Sequence, residues 1–112
     1  MTEETDACSD EQSHEKRDLT KVSDDTMEKA ARIFRALGDP ERLRLLTILS
    51  EGNACVSELA TKDQLSTVSQ RLRTLRNENL VSRKRQGKHI IYGLADDHVL
   101  ELITNALVHA GE

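Results

Sequence analysis

A chain of 112 residues, 37% hydrophobic and 32% charged, is long enough for one small domain and too short for two. Its net charge of −4 excludes a uniformly basic nucleic-acid binder, and its two aromatic side chains, Phe34 and Tyr92, exclude a platform for stacking unpaired bases. The longest uncharged run, residues 102–111, falls far short of the roughly 20 apolar residues of a membrane span, and the acidic start lacks a signal peptide's basic and apolar regions, so a cytoplasmic protein is expected.

The charge is unevenly divided. Residues 1–28 hold ten acids and three bases, whereas residues 62–89 hold eight bases and two acids. Residues 1–24 have only Leu19 and Val22 as aliphatic anchors, too little to offset the entropy of ordering, and are expected to form a mobile acidic tail. Residues 25–112 then form the domain. A core of that size is marginally stable alone, which favours a homodimer. Cys8 and Cys55, far apart in a chain without an export signal, are expected to be thiols rather than a disulfide.

From Met27 onward, Ala30, Ala31, Phe34 and Leu37 recur at helical spacing, giving an amphipathic helix that ends at Gly38. Asp39-Pro40-Glu41 supplies a capping oxygen, a proline at the first helical position and an acid at the positive helix end, which opens a second helix over Pro40 to Ser50. Its apolar residues (Leu43, Leu45, Leu46, Ile48, Leu49) go more than halfway round, so it should be central, with Gly52 as its stop. A short third helix is expected across Val56 to Lys62. Ser66 is placed as the cap of a fourth, in which Val68, Leu72 and Leu75 face inward and Gln70, Arg73 and Asn77 outward. Leu80 to Leu94 has the pattern of a hairpin with a basic tip around Gly87. Asp96 and Asp97 introduce a last helix carrying Val99, Leu102, Ala106 and Leu107. The order predicts a mainly α fold with a β-hairpin wing, a dimeric winged helix-turn-helix.

The fourth helix exposes Ser66, Thr67, Ser69, Gln70 and Arg73 near its N-terminal half, groups that suit base edges and phosphates of a major groove. Arg83, Lys84, Arg85, Lys88 and His89 crowd the hairpin, where like charges repel unless a polyanion neutralises them. Helix and wing together point to double-stranded DNA. The segments RIFRALGDPERLRLLTILSEGNACVSELA and LSTVSQRLRTLRNENLVSRKRQGKHIIYGL resemble the ArsR/SmtB family of dimeric metal-responsive transcriptional repressors, with a somewhat shortened connection between the third and fourth helices. The resemblance implies operator binding as an apo homodimer and release on metal binding.

Four potential ligands flank the last helix. His98 and His109 stand eleven positions apart, on one helical face but roughly 16 Å apart along the axis, so one helix cannot chelate one ion with both. Two copies pairing antiparallel bring His98 of one to His109 of the other. Asp96 reaches the same ion only if it precedes the helix, and Glu112 lies on the face of His109. The resulting N2O2 set suits tetrahedral Zn2+, or Co2+, and leaves no open position for a substrate. The same residues also suit plain roles as helix caps and surface groups. Asp-x-His followed by ten residues and His-x-x-Glu is similar to the zinc site of zinc-sensing ArsR/SmtB members, which implies Zn2+ (or Cd2+ or Co2+) as effector bound by Asp96, His98, His109 and Glu112. By the same resemblance, Cys55 and Glu58 with Cys8 and His14 are candidates for a second metal or thiol site, the basis of an alternative heavy-metal or redox-sensing repressor, while Cys55 alone suits a small buried hydrophobe equally well. No small-molecule substrate and no catalytic residue is expected.

Overall fold

The computed structural model describes residues 21–60 and 63–112. Residues 1–20, which hold most of the expected acidic tail with Cys8 and His14, lie outside the described residues.

Helix α1 spans Asp24–Leu37, starting nearly a turn before Met27 because Ser23 caps it, its Oγ accepting from the Thr26 N–H at 3.1 Å, with Asp24 and Asp25 in the first turn. Helix α2, Pro40–Leu49, begins as expected, Asp39 Oδ2 accepting from the Arg42 N–H at 2.9 Å. Arg42 also donates from Nε to the Ala36 carbonyl at 2.8 Å and from Nη2 to that of Arg35 at 3.3 Å, satisfying the last carbonyls of α1 and fixing the angle between the helices. Leu45, Leu46 and Leu49 are buried but Ile48 is exposed, so the inward arc of α2 is narrower than its apolar content suggests.

Strand β1, Ala54–Cys55, is an element that two residues carry too little periodicity to announce. Helix α3, Val56–Leu59, is a single turn; Ala60 has already left helical geometry at φ −95°, ψ 62°, which corrects the expected extension to Lys62. Helix α4 runs Leu65–Asn77 with Gln64, not Ser66, at the N-cap, so Ser66 lies within the first turn and is freed from capping. The turn before α4 is tied to it by Asp63 Oδ2, which accepts from Arg71 Nη1 at 2.8 Å.

Asn79, at φ +60°, ends α4 in the left-handed region, with its N–H bonded to the Arg76 carbonyl and that of Leu80 to the Leu75 carbonyl, both at 3.0 Å. Leu75 and Leu80 are both buried, completing a Schellman stop that turns the chain into the wing. Asn79→Ala is therefore expected to cost about 1 kcal/mol, and Asn79→Gly little, because alanine lacks asparagine's tolerance of that conformation. A fall in the urea midpoint at fixed protein concentration with unchanged m-value checks this.

Strands β2 (Val81–Gln86) and β3 (His89–Leu94) form the expected hairpin, closed by Gly87-Lys88 with Gly87 at φ +60°, the position where a two-residue turn demands glycine. The sheet order is β1-β3-β2, antiparallel throughout, with Ala54 opposite Tyr92 and Gln86 opposite His89. Helix α5, Asp97–Ala110, is capped by Asp96, whose Oδ1 accepts from the Val99 N–H at 3.1 Å. Leu46, Val68, Leu72, Leu75, Leu80 and Ile103 are the most deeply buried side chains, so α4 and the start of the wing are anchored on α2 and α5 by one core. Among the described residues, no helix is long and apolar enough to cross a membrane.

Candidate nucleic-acid interface and metal-ligand pairs

The inward stripe Val68, Leu72 and Leu75 fixes the rotation of α4, and that rotation presents the opposite face. Ser66, Gln70, Arg73 and Asn77 are exposed, and Thr67 and Ser69 are half-buried beside them. Arg71 is turned aside to Asp63, whose carboxylate raises the guanidinium pKa further, so it acts as a brace for the turn.

Beside this face stands the wing, exposed without interruption from Ser82 to His89. Alternation along β2 places Arg83 and Arg85 on one side of the hairpin and Lys84 on the other, opposite Tyr92, Ile90 and Ile91 respectively. Arg85 donates from Nε to the Gly87 carbonyl at 3.3 Å. Among the described residues, Arg73, Arg83, Lys84, Arg85 and Lys88 have no carboxylate within ion-pair distance, whereas Lys29, Arg32, Arg44 and Arg71 each have one. Arg35, Arg42 and Arg76 also lack one, but four of the unpaired cations stand together on the exposed wing, a charge distribution compatible with phosphate binding.

At the two ends of α5 the structure forms two pairs. Asp96 Oδ1 lies 3.8 Å from His98 Nδ1, and Glu112 Oε1 lies 3.9 Å from His109 Nδ1, all four side chains being exposed. Asp96 precedes the helix, as the ligand reading requires, while also capping it through the same oxygen. The pairs remain at opposite ends, and among the described residues no three His, Cys, Asp or Glu side chains form a metal-holding group. Each end supplies one nitrogen and one carboxylate donor, half of a tetrahedral N2O2 set.

Cys55 and Glu58 are also brought together. The Cys55 N–H donates to Glu58 Oε1 at 2.9 Å, and its Sγ lies 3.1 Å from Ser57 Oγ. The backbone hydrogen bond, then the thiol and His89, hold the Glu58 carboxyl below the usual carboxylate range. Their suggested companions, Cys8 and His14, lie outside the described residues.

Two features had no sequence signal. Arg32 Nε lies 3.4 Å from Glu78 Oε1, joining α1 to the residue that closes α4. A groove of about 410 Å³ between α1, the end of α4 and the start of α5 contains both, together with Lys29, Asp96 and His98. Contacts spanning dozens of residues leave no local pattern to read.

The model of the bacterial regulatory proteins of the arsR family matches residues 39–83, from the cap of α2 into β2. A transcriptional repressor SmtB homolog of Synechocystis is 41% identical over 81% of this chain and 70% of its own length. A cadmium resistance transcriptional regulatory protein CadC homolog of Staphylococcus aureus is 34% identical over the whole of this chain and 93% of its own. Among solved structures, the homodimeric winged helix-turn-helix DNA-binding domain of a Mycobacterium bovis protein superposes with a TM-score of 0.77 at 31% identity, covering 82% of this chain and 90% of that one. With helix, turn and wing in the same order and these identities across most of its length, the chain belongs to the ArsR/SmtB family of metal-responsive transcriptional repressors and is a DNA-binding regulator, not an enzyme.

Proposed function

We propose that the chain is a cytoplasmic repressor that binds operator DNA as an apo homodimer and leaves it when Zn2+, or Cd2+ or Co2+ in its place, is bound between the two α5 helices. The observation that carries this reading is the pair of half-sites at opposite ends of α5, Asp96 with His98 and His109 with Glu112. A second copy supplies the missing half of each. Met27 and Phe34 on α1 and Leu107 and Val108 on α5 are large apolar side chains left exposed, Phe34 at 62%, and such a surface is what a partner protomer covers. The homodimeric Mycobacterium bovis domain supports the same assembly.

Asp96 and His98 of one protomer with His109 and Glu112 of the other would hold the ion, which would supply a cross-link between the two α5 helices, a role that suits sensing and not hydrolysis. Ser66, Thr67, Ser69, Gln70 and Arg73 contact the major groove, and Arg83, Lys84, Arg85, Lys88 and His89 hold the flanking phosphates. Release needs only that the metal-bound dimer favours a spacing of its two α4 helices that no longer matches both half-sites. A 100-fold loss of DNA affinity corresponds to about 2.7 kcal/mol of coupling.

A second reading rests on the adjacency of Cys55 to Glu58 and on the likeness to the cadmium resistance regulator: a thiol site completed by Cys8 and His14. One experiment separates the two. Fluorescence anisotropy on duplexes selected from a random pool by the apo protein is followed while Zn2+ is added, then reversed with chelator. Wild type and Cys55→Ser should both release DNA by about 100-fold. Release lost with Cys55→Ser moves the sensor to the thiol site, and no release in either variant overturns metal control.

A further inference from the structure

The charge that residues 62–89 carry has a counterpart within the same chain. Residues 1–20 contain seven acids and two bases. On the folded part, Lys29, Arg32, Arg44 and Arg71 have carboxylates of their own, whereas Arg35, Arg42, Arg73, Arg76 and the cations of the wing have none among the described residues, and the wing gathers four of these on one exposed hairpin. Reach is not limiting: 20 residues extend up to about 70 Å, and the longest dimension of the molecule is 56 Å. A segment tethered at Lys21 competes at the effective concentration of an intramolecular ligand, on the order of millimolar.

We propose that the acidic N-terminal segment, residues 1–20, occupies the basic face of the wing around Arg83, Lys84 and Arg85 in the absence of DNA and acts as an intramolecular competitor for nucleic acid. This rests on the DNA-binding role of the wing and is independent of the metal proposal. Each contact is an exposed ion pair and weak alone, so the competition is multivalent and salt-labile. It competes for the phosphate contacts that operator and mixed-sequence DNA share, and a mixed-sequence duplex, which draws nearly all its affinity from them, reads it most directly.

The test uses the full chain with all seven acids of residues 1–20 changed to their amides. Against a mixed-sequence duplex of ~30 bp, the variant should bind about tenfold more tightly than wild type at ~50 mM salt and within about twofold of it at ~300 mM. Without DNA, the backbone amide resonances of residues 82–89 should differ between the two proteins. In an Arg83→Gln, Lys84→Gln, Arg85→Gln background the amide changes should give no gain. Equal affinities at low salt overturn the proposal. So does a gain that persists in the wing-neutral background or comes without any change in the wing resonances, since either identifies long-range repulsion of DNA without contact.

Discussion

A heterodimer of one His98→Ala protomer and one His109→Ala protomer is expected to bind one Zn2+ tightly, although neither variant does so as a homodimer. The two histidines lie on one face of α5 but roughly 16 Å apart along it, so under the proposed arrangement each site would draw one from each protomer. In either homodimer both sites are short of a ligand. Loss of a partner that merely orients a ligand weakens metal binding by about 10–100-fold, so loss of the ligand itself should weaken it by about 100-fold or more. In the heterodimer one site lacks both histidines, while the other has all four ligands: Asp96 and His98 from the first intact end, His109 and Glu112 from the second. Differently tagged protomers, co-expressed and purified through both tags, are titrated with Zn2+ against a chromophoric chelator. Two tight sites per wild-type dimer, one per heterodimer and none per variant homodimer is the expected series. A heterodimer as weak as its parents places the ligands within one protomer or elsewhere, and tight binding in both homodimers removes the histidines from the site.

What could be read from the chain was whatever short-range chemistry determines. Asp39-Pro40 opens α2 and Asp96 opens α5 because a cap needs only its own oxygen and an N–H three residues on. Gly87 closes the wing for an equally local reason. The outward placement of Gln70 and Arg73 followed from the spacing of Val68, Leu72 and Leu75, since burying one stripe of a helix fixes the others. Elements set by distant partners were not legible. Strand β1 exists because Ala54 and Cys55 lie beside Tyr92 and Ile91, and Ile48, on a helix whose apolar residues go more than halfway round, stays exposed among the described residues because the core covers only the side of Leu45, Leu46 and Leu49. Ser66 had the right chemistry for a cap, but α4 starts at Leu65, with Gln64 in extended geometry at φ −67°, ψ 148°. The closeness of Asp96 to His98 and of His109 to Glu112 was legible for the same reason as the caps: the members are two and three positions apart.

Replacing Arg83, Lys84 and Arg85 together by glutamine should lower DNA affinity on the order of 1000-fold at moderate salt and flatten its salt dependence. Six charges leave the dimer, and each phosphate contact contributes about 0.9 to the slope of log K against log salt, so the slope should fall by about 5 if all six touch phosphate. The loss should be nearly equal on operator and mixed-sequence duplexes, because phosphates carry no sequence information. Gln70→Ala makes the opposite kind of change: about 1–3 kcal/mol at the base pair it reads and little elsewhere. Folding is not the cause in either case. Residues 82–89 are exposed and no carboxylate pairs with the three cations among the described residues, so their removal relieves repulsion without leaving a buried group unsatisfied. Unchanged thermal stability with a collapsed salt slope is therefore the signature of a wing that grips the backbone. An unchanged slope removes the wing from the interface and leaves α4 as the whole of it.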